Sequence, residues 1–219
     1  MNVVPERVTD PLARFLARVG VSPSAMATAG MVASIAAAGS FAGGKARLAG
    51  AFVLLSGVCD LLHRALARLA GRVSRFAAFY DTTLARAGEA VVFTGIAAFF
   101  LRGGVPRERV LVAVLGAVAA LALVLLMAYT RARADAVGID FPRGRTRRAE
   151  SFLVLGLPPL VLGAATAGVV LFWIVLLLAL LAAVTVARRV LHASRVVDTA
   201  TARPRGTLAG RSPAMKRGA

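Results

Sequence analysis

The segment VLVAVLGAVAALALVLLMAYT occupies residues 110–130 and contains no charged side chain. A helix needs about 20 consecutive, largely apolar residues to cross the hydrocarbon core of a bilayer, and this segment meets that requirement. Apolar segments of similar character also lie at residues 24–42, 46–66, 82–101, 152–167 and 168–187. Together they predict an all-α membrane protein with six transmembrane helices.

The last two predicted helices belong to one apolar stretch, residues 152–187. This stretch is too long for a single crossing, so we predict a turn near residues 166–168. Pro158 and Pro159 lie in its first half, where they predict a kink rather than an end of the helix.

A short amphipathic helix is predicted before the first membrane segment, over residues 9–20. Arg14 and Arg18 lie on its polar side. Its apolar side carries residues at helical spacing: Leu12, Phe15, Leu16 and Val19. Gly20 and Pro23 are typical of a helix end. A helix this short cannot span a bilayer, so we expect it to lie in the membrane interface. An ordinary solvent-facing helix is the alternative.

The chain is strongly basic, with 27 Lys and Arg against 10 Asp and Glu among 219 residues. In a soluble protein, a net charge of +17 would suggest a nucleic-acid partner. Here the basic residues lie between and beyond the apolar segments. This placement favours anionic lipid headgroups or phosphate-bearing substrates as partners and argues against nucleic acid.

The basic residues also predict the orientation, because cytoplasmic loops are enriched in Lys and Arg. With six helices, few basic residues fall on the outer side: Lys45, Arg47, Arg102, Arg107 and Arg109. We therefore predict a multi-pass protein of the cell membrane with both termini in the cytoplasm. Residues 1–22 would hold the interfacial helix and 23–190 the membrane domain. Residues 191–219 form a basic tail without apolar periodicity, which we expect to be disordered.

Acidic side chains occur at or near the inner ends of two predicted membrane helices. Asp60 lies in the second helix, and Asp81 and Glu89 lie at the third. Ionisable groups at such positions are costly and usually face a cavity or a partner. Arg64 is four residues after Asp60 and shares its helix face, so we expect the guanidinium to reach Asp60 or Asp81.

The residues around these carboxylates resemble a known signature. Residues 60–68 read DLLHRALAR and, after eight further residues, 77–85 read AAFYDTTLA. This is similar to the signature of the CDP-alcohol phosphatidyltransferase family, D-x-x-D-G-x-x-A-R, about eight residues, then G-x-x-x-D-x-x-x-D. Further segments resemble the actinobacterial phosphatidylinositol phosphate synthase branch of that family: TDPLARFL at 9–16, GVSP at 20–23, YTRARA at 129–134, and Gly144 with RAE at 148–150. The resemblance covers residues 8–190, nearly all of the membrane part.

Membership of this family implies six membrane helices with one interfacial helix, commonly in a homodimer. The family transfers a phosphatidyl group from CDP-diacylglycerol to an alcohol acceptor such as inositol phosphate and releases CMP. In the family, four carboxylates on two adjacent helices hold two divalent metal ions, Mg²⁺ or Mn²⁺, and the last carboxylate acts as the base. The resemblance places Ala67, Arg68 and Arg64 at the CDP-lipid. It places Arg133, Arg148 and Arg195 at the phosphate of the acceptor.

This sequence departs from the signature at the positions that carry the chemistry. Asp60 and Asp81 remain, whereas His63 and Ala85 occupy the second and fourth carboxylate positions, and Arg64 replaces the first glycine. Ala85 cannot accept a proton. Glu89 lies one turn further, about 6 Å along the helix axis, which is too far to replace the base without rearrangement.

Three interpretations of these departures remain open. In the first, the chain is a family member with lost or weakened transferase activity that acts as a regulator or partner of another protein. In the second, it is an active transferase with an altered site, holding one metal ion on Asp60, Asp81 and His63. In the third, it is a non-catalytic membrane scaffold, and Asp60, Arg64 and Asp81 form a buried ion-pair network.

Overall fold

The computed structural model describes the backbone of residues 6–71, 74–137 and 148–201, and the side chains of the same ranges except 6–8, 148–150, 163–165 and 193–201. Within these ranges the chain is helical and has no strand. The helices are α1 (Glu6–Arg18), α2 (Pro23–Ala42), α3 (Ala46–Ala70), α4 (Arg75–Phe99), α5 (Val110–Ala136) and α6 (Arg148–Thr201). A π-helical turn, Phe100–Gly104, and a 3-10 turn, Arg107–Arg109, connect α4 to α5.

The all-α membrane class predicted from the sequence is confirmed. Among the described residues, the helical segments long and apolar enough to cross a membrane are Pro23–Ala42, Ala46–Ala70, Arg75–Gly104, Arg107–Ala136 and Thr166–His192. A further apolar segment, Ser151–Leu162, is shorter. The chain is therefore a multi-pass membrane protein with five such segments in the described ranges, and the predicted number of six spans is not confirmed.

The two apolar segments of α6 run in opposite directions. Phe152 and Arg189 both line the same cavity, although a straight helix would place them about 55 Å apart at 1.5 Å per residue. The first of these segments runs antiparallel to α3, because Gly57 lies against Phe152 whereas the earlier Gly50 lies against Leu160. Helix α6 covers Arg148–Thr201, and the chain reverses direction between its two apolar segments. Helical structure continues through Pro158 and Pro159, as predicted.

Helix α1 packs along the C-terminal end of α3. It begins at Glu6, before the predicted start, so Asp10 lies inside the helix, where it accepts a hydrogen bond from Arg68 at 3.1 Å. Part of the predicted apolar side of α1 packs against α3, and the rest is exposed. Leu16 packs with Ala13 against the end of α3, whereas Leu12, Phe15 and Val19 are exposed. Gly20, with φ +84°, follows the helix end. An exposed apolar side suits a position in the membrane interface, which stays a prediction.

Capping serines mark the first residues of α2 and α4. The Ser22 side chain accepts a hydrogen bond from the Ala25 backbone N–H, which caps α2. Ser74 caps α4 in the same way through Ala77. Because α4 begins at Arg75, Asp81 lies in its second turn, within a helix that starts several residues before the predicted membrane segment.

Close packing holds the helices around a shared core. Phe41, Ile96 and Phe100 are fully buried in it. Helices α3 and α6 approach so closely that a Cβ atom on Gly50 would lie 2.5 Å from the Gly156 carbonyl oxygen. Glycine at position 50 is therefore required by the contact between the two backbones.

Candidate ligand cavity

A cavity of about 1020 Å³ lies among α2, α3, α4, α5 and α6, at the end of the bundle where α2 begins. Its ionisable lining residues are Asp60, His63, Arg64, Asp81, Arg86, Glu89 and Arg189. Deeper walls are apolar and include Val92, Phe93, Leu155 and Leu178. The cavity thus combines a charged end with an apolar interior, which suits an amphiphilic ligand such as a lipid.

Asp60 and Arg64 form an ion pair on one face of α3. Arg64 Nη2 donates to Asp60 Oδ2, and Arg64 Nε donates to the Asp60 backbone oxygen at 3.3 Å. The carboxylate is largely buried, at 15% exposure, whereas the guanidinium is 41% exposed. The expectation that Arg64 reaches Asp60 is confirmed, because residues four apart on a helix lie one above the other.

His63 and Asp81 meet across the gap between α3 and α4. His63 Nδ1 lies 3.1 Å from the Pro23 carbonyl oxygen and 3.9 Å from Asp81 Oδ2. Because a carbonyl oxygen only accepts, the Nδ1 atom carries the proton in this hydrogen bond. Asp81 is buried, and its Oδ1 atom has no hydrogen-bond partner among the described residues. A buried carboxylate oxygen without a partner is costly, so this atom suits a donor or cation from a bound group.

The base position predicted from the signature carries no functional group. Ala85 lines the cavity from α4. Glu89, one turn later, is buried and accepts a hydrogen bond from Arg86 Nη1 at 2.6 Å. This ion pair holds the carboxylate of Glu89 toward Arg86. Glu89 therefore interacts with Arg86 and does not replace the carboxylate that the signature has at position 85.

Two arginines in the lining were not predicted as site residues. Neither Arg86 nor Arg189 belongs to the signature that resembles the family. Arg86 could have been found from its spacing of three residues before Glu89 on one helix. No local signal indicates Arg189, which donates through Nη1 to the Met127 carbonyl oxygen and lies 3.5 Å from Thr130 Oγ1 on α5.

The remaining predicted site residues are distributed as follows. Ala67 lines the cavity beside Arg64. Arg68 does not line it and pairs with Asp10 of α1 instead. Arg133 is exposed in the last turn of α5, away from the lining. The side chains of Arg148 and Arg195 lie outside the described residues. The binding roles predicted for all five stay predictions.

The residues present do not fit the predicted metal sites. No three His, Cys, Asp or Glu side chains in the described part of the chain are grouped so as to hold a metal ion. Asp60 is paired with Arg64, and His63 directs its Nδ1 proton to Pro23. Neither the two-metal arrangement nor a single ion on Asp60, Asp81 and His63 is assembled by this geometry.

Comparisons with known proteins identify several relatives. No protein-family model matches the chain. Phosphatidylinositol phosphate synthase of Streptomyces avermitilis is 35% identical over 150 residues, which cover 68% of this chain and 60% of that protein. The phosphatidylinositol phosphate synthase of Cutibacterium acnes is 30% identical over 201 residues, covering 88% of this chain and 95% of that protein. The chain thus spans less than two thirds of the Streptomyces protein but nearly all of the Cutibacterium protein.

A solved protein shares the fold. The structure of phosphatidylinositol phosphate synthase of Mycobacterium tuberculosis with CDP-DAG bound is similar with a TM-score of 0.69 at 28% identity, covering 84% of this chain and 92% of that chain. A second structure of that protein, in complex with manganese and citrate, gives a TM-score of 0.68 over 83% of this chain and 87% of that chain.

The helices and the cavity define a polytopic membrane protein with a ligand site at one end of its bundle. The chain belongs to the CDP-alcohol phosphatidyltransferase family, and the relatives named above are phosphatidylinositol phosphate synthases. The resemblance stated for residues 60–68 and 77–85 is therefore confirmed at the level of the family. Use of a divalent metal within the family is supported by the manganese complex.

Proposed function

We propose that this protein keeps the lipid-binding cavity of its family but has lost, or retains only weakly, the family's transferase activity. That activity would move a phosphatidyl group from CDP-diacylglycerol to an alcohol acceptor such as inositol phosphate and release CMP. The observation that carries the proposal is the pairing of Asp60 with Arg64 in a cavity where Ala85 stands at the position of the base.

The physical argument concerns charge and proton transfer. A positioned general base contributes about 10²–10⁴-fold to the rate, and the methyl group of Ala85 contributes none of this. Arg64 also neutralises the carboxylate that would otherwise attract a metal ion. The acceptor alcohol would therefore meet neither a base nor a metal-bound diphosphate.

An active transferase with one metal ion on Asp60, Asp81 and His63 is the second candidate. The unpartnered Asp81 Oδ1 favours it, because a cation would satisfy that atom. Two contacts weigh against it, since Asp60 is paired with Arg64 and His63 Nδ1 faces a carbonyl oxygen. A neutral imidazole is also a weaker partner for Mg²⁺ than a carboxylate.

A non-catalytic scaffold is the third candidate. A purely structural ion-pair network is expected to satisfy its buried groups. Asp81 leaves one buried oxygen without a partner among the described residues, and the cluster opens into a cavity large enough for a ligand. Both observations favour a retained binding site over a scaffold without one.

Location and assembly complete the proposal. The basic residues favour insertion in the cell membrane with both termini in the cytoplasm. A homodimer follows from the family resemblance, and a protein partner is expected if the chain acts as a regulator. Membrane lipids, including CDP-diacylglycerol, are the proposed ligands.

Release of CMP from CDP-diacylglycerol tests the loss of activity. The purified protein in lipid nanodiscs would receive Mg²⁺ or Mn²⁺ together with phosphorylated or free acceptors. The Cutibacterium acnes synthase in identical discs would provide the positive control. We expect no metal-dependent release above that of empty discs; release comparable to the control would refute the proposed loss.

A further inference from the structure

The guanidinium of Arg64 lies at the charged end of the cavity, next to the carboxylate of Asp60. It lines the cavity at 41% exposure while its partner Asp60 is largely buried. An arginine has five N–H donors in a planar fork. Nε and Nη2 each use one donor toward Asp60. The other three have no partner among the described residues.

The described lining residues are already balanced in charge without a metal. Three carboxylates, Asp60, Asp81 and Glu89, face three guanidiniums, Arg64, Arg86 and Arg189, and His63 lies beside them. A divalent ion would add positive charge next to Arg64, which electrostatic repulsion disfavours. The charged end of the cavity thus already contains a permanent organic cation, the guanidinium of Arg64.

The third arginine is available to an anion. Arg189 donates to the Met127 carbonyl oxygen and lies beside the Thr130 hydroxyl, both of which are neutral groups. No carboxylate lies within ion-pairing distance of Arg189 in the described part of the chain. Its charge can therefore be neutralised by a ligand at the polar end of the cavity.

We propose that Arg64, in place of a divalent cation, binds the phosphate of a diacyl lipid in this cavity, so that lipid binding is independent of metal. The inference rests on the proposed function, because it assumes that the cavity is a lipid site. Asp60 is a positioning residue, because it accepts two hydrogen bonds from the guanidinium. The remaining N–H donors of Arg64 would face the phosphate.

The chemistry of arginine supports this assignment. A guanidinium forms parallel, charge-assisted hydrogen bonds to phosphate oxygens, whereas lysine offers only a point charge. The apolar walls formed by residues such as Val92, Phe93 and Leu178 suit acyl chains. Both CDP-diacylglycerol and phosphatidic acid combine a phosphate with two acyl chains, so the test must distinguish them.

Equilibrium binding with and without metal tests the inference directly. The full chain in maltoside micelles, which contain no phosphate, would be titrated with short-chain CDP-diacylglycerol or phosphatidic acid in EDTA and in Mg²⁺. We expect at least one of these lipids to bind in EDTA with a Kd within about two-fold of its value in Mg²⁺. Binding that requires Mg²⁺, or no binding in either condition, would overturn the inference, and the lipid that binds identifies the headgroup.

Variants of two arginines on α3 show whether Arg64 is responsible. Arg64→Gly should weaken binding in EDTA by about ten-fold or more, since charge-assisted hydrogen bonds are lost. The affinity of Arg64→Lys should lie between those of the unmodified protein and Arg64→Gly, because lysine keeps the positive charge but lacks the planar set of donors. Arg47→Gly, which changes an exposed arginine at the other end of the same helix, is the matched control and should bind normally.

Circular dichroism would verify that the variants fold, and the lysine variant provides the test if the glycine variant unfolds. Normal binding by the folded Arg64 variants would contradict the assignment.

The binding titration and the CMP-release assay together separate this inference from the proposed function. CMP release together with metal-independent binding would overturn the loss of activity and leave the role of Arg64 intact. Absence of CMP release together with metal-dependent binding would overturn the role of Arg64 and leave the loss of activity intact.

Discussion

Arg64 and Ala85 are the two side chains on which the chemistry of this protein depends. Compared with the family signature, Arg64 places a permanent positive charge beside Asp60. Ala85 leaves the cavity without the proton acceptor that the signature has at this position. Either difference alone would weaken metal-assisted transfer, because the reaction needs both a neutralised diphosphate and an activated alcohol.

Binding of Mn²⁺ separates the altered-metal interpretation from the others at the level of single residues. We expect the unmodified protein to bind no stoichiometric Mn²⁺ by electron paramagnetic resonance, because Arg64 repels the ion and holds Asp60. The double variant His63→Asp with Arg64→Gly should gain binding by about ten-fold or more, since it adds an anionic ligand and removes a cation. Arg47→Gly serves as the control. One tightly bound Mn²⁺ in the unmodified protein would support the single-metal site instead.

The sequence predicts the contacts within one helix better than those between helices. The pairing of Arg64 with Asp60 follows from a spacing of four residues, and the capping serines at 22 and 74 are likewise local signals. The pairing of Arg68 with Asp10 and the position of Arg189 depend on how distant helices pack. No spacing along the chain encodes those contacts, so they required the structure.

At the scale of helices, the contact between α3 and α6 sets the width of the cavity. Gly57 lies against Phe152, a lining residue, and Gly50 lies against the backbone of Gly156 and Leu160. Small residues at these positions let the helices approach closely. The sequence predicted the start of α1 less accurately. Helix α1 begins at Glu6 rather than near Thr9, and Asp10 lies inside it and pairs with Arg68.

Substitution of two glycines tests the importance of this close contact. Gly50→Ala should destabilise the protein by about 1–3 kcal/mol, because the added Cβ meets the Gly156 carbonyl oxygen and the Leu160 backbone. Gly39→Ala on α2 is the matched control, since nothing lies within 4 Å of its added Cβ. The control should be neutral or stabilising by up to about 1 kcal/mol. Thermal unfolding in micelles measures both, and equal melting temperatures for the two variants would argue against the tight contact.

At the scale of the whole molecule, hydropathy predicts the membrane class, and the length of the apolar stretch 152–187 predicts that the chain turns back within it. Apolar runs predict where helices can cross, and the five longest described segments agree with them. The reversal within α6 occurs in an apolar, uncharged stretch, so no basic loop reveals it. The shared cavity lined by Phe152 and Arg189 reveals it in the structure.

Cysteine labelling tests the orientation predicted for the molecule. The sole cysteine, Cys59, is buried, so a Cys59→Ala background leaves no native thiol. Lys45→Cys and Arg75→Cys are matched exposed positions at opposite ends of the bundle. A membrane-impermeant maleimide should label Lys45→Cys on intact cells and label Arg75→Cys only after permeabilisation. The reverse pattern would place the cavity on the outer side.

Restoring the signature residues provides the most direct test of the central claim that the cavity persists without its chemistry. The measurement is metal-dependent CMP release from CDP-diacylglycerol, with the unmodified protein beside the triple variant His63→Asp, Arg64→Gly and Ala85→Asp. Our account predicts no release by the unmodified protein and measurable release by the triple variant, because the variant regains two carboxylates and loses the competing guanidinium. Metal-dependent release by the unmodified protein would contradict the account.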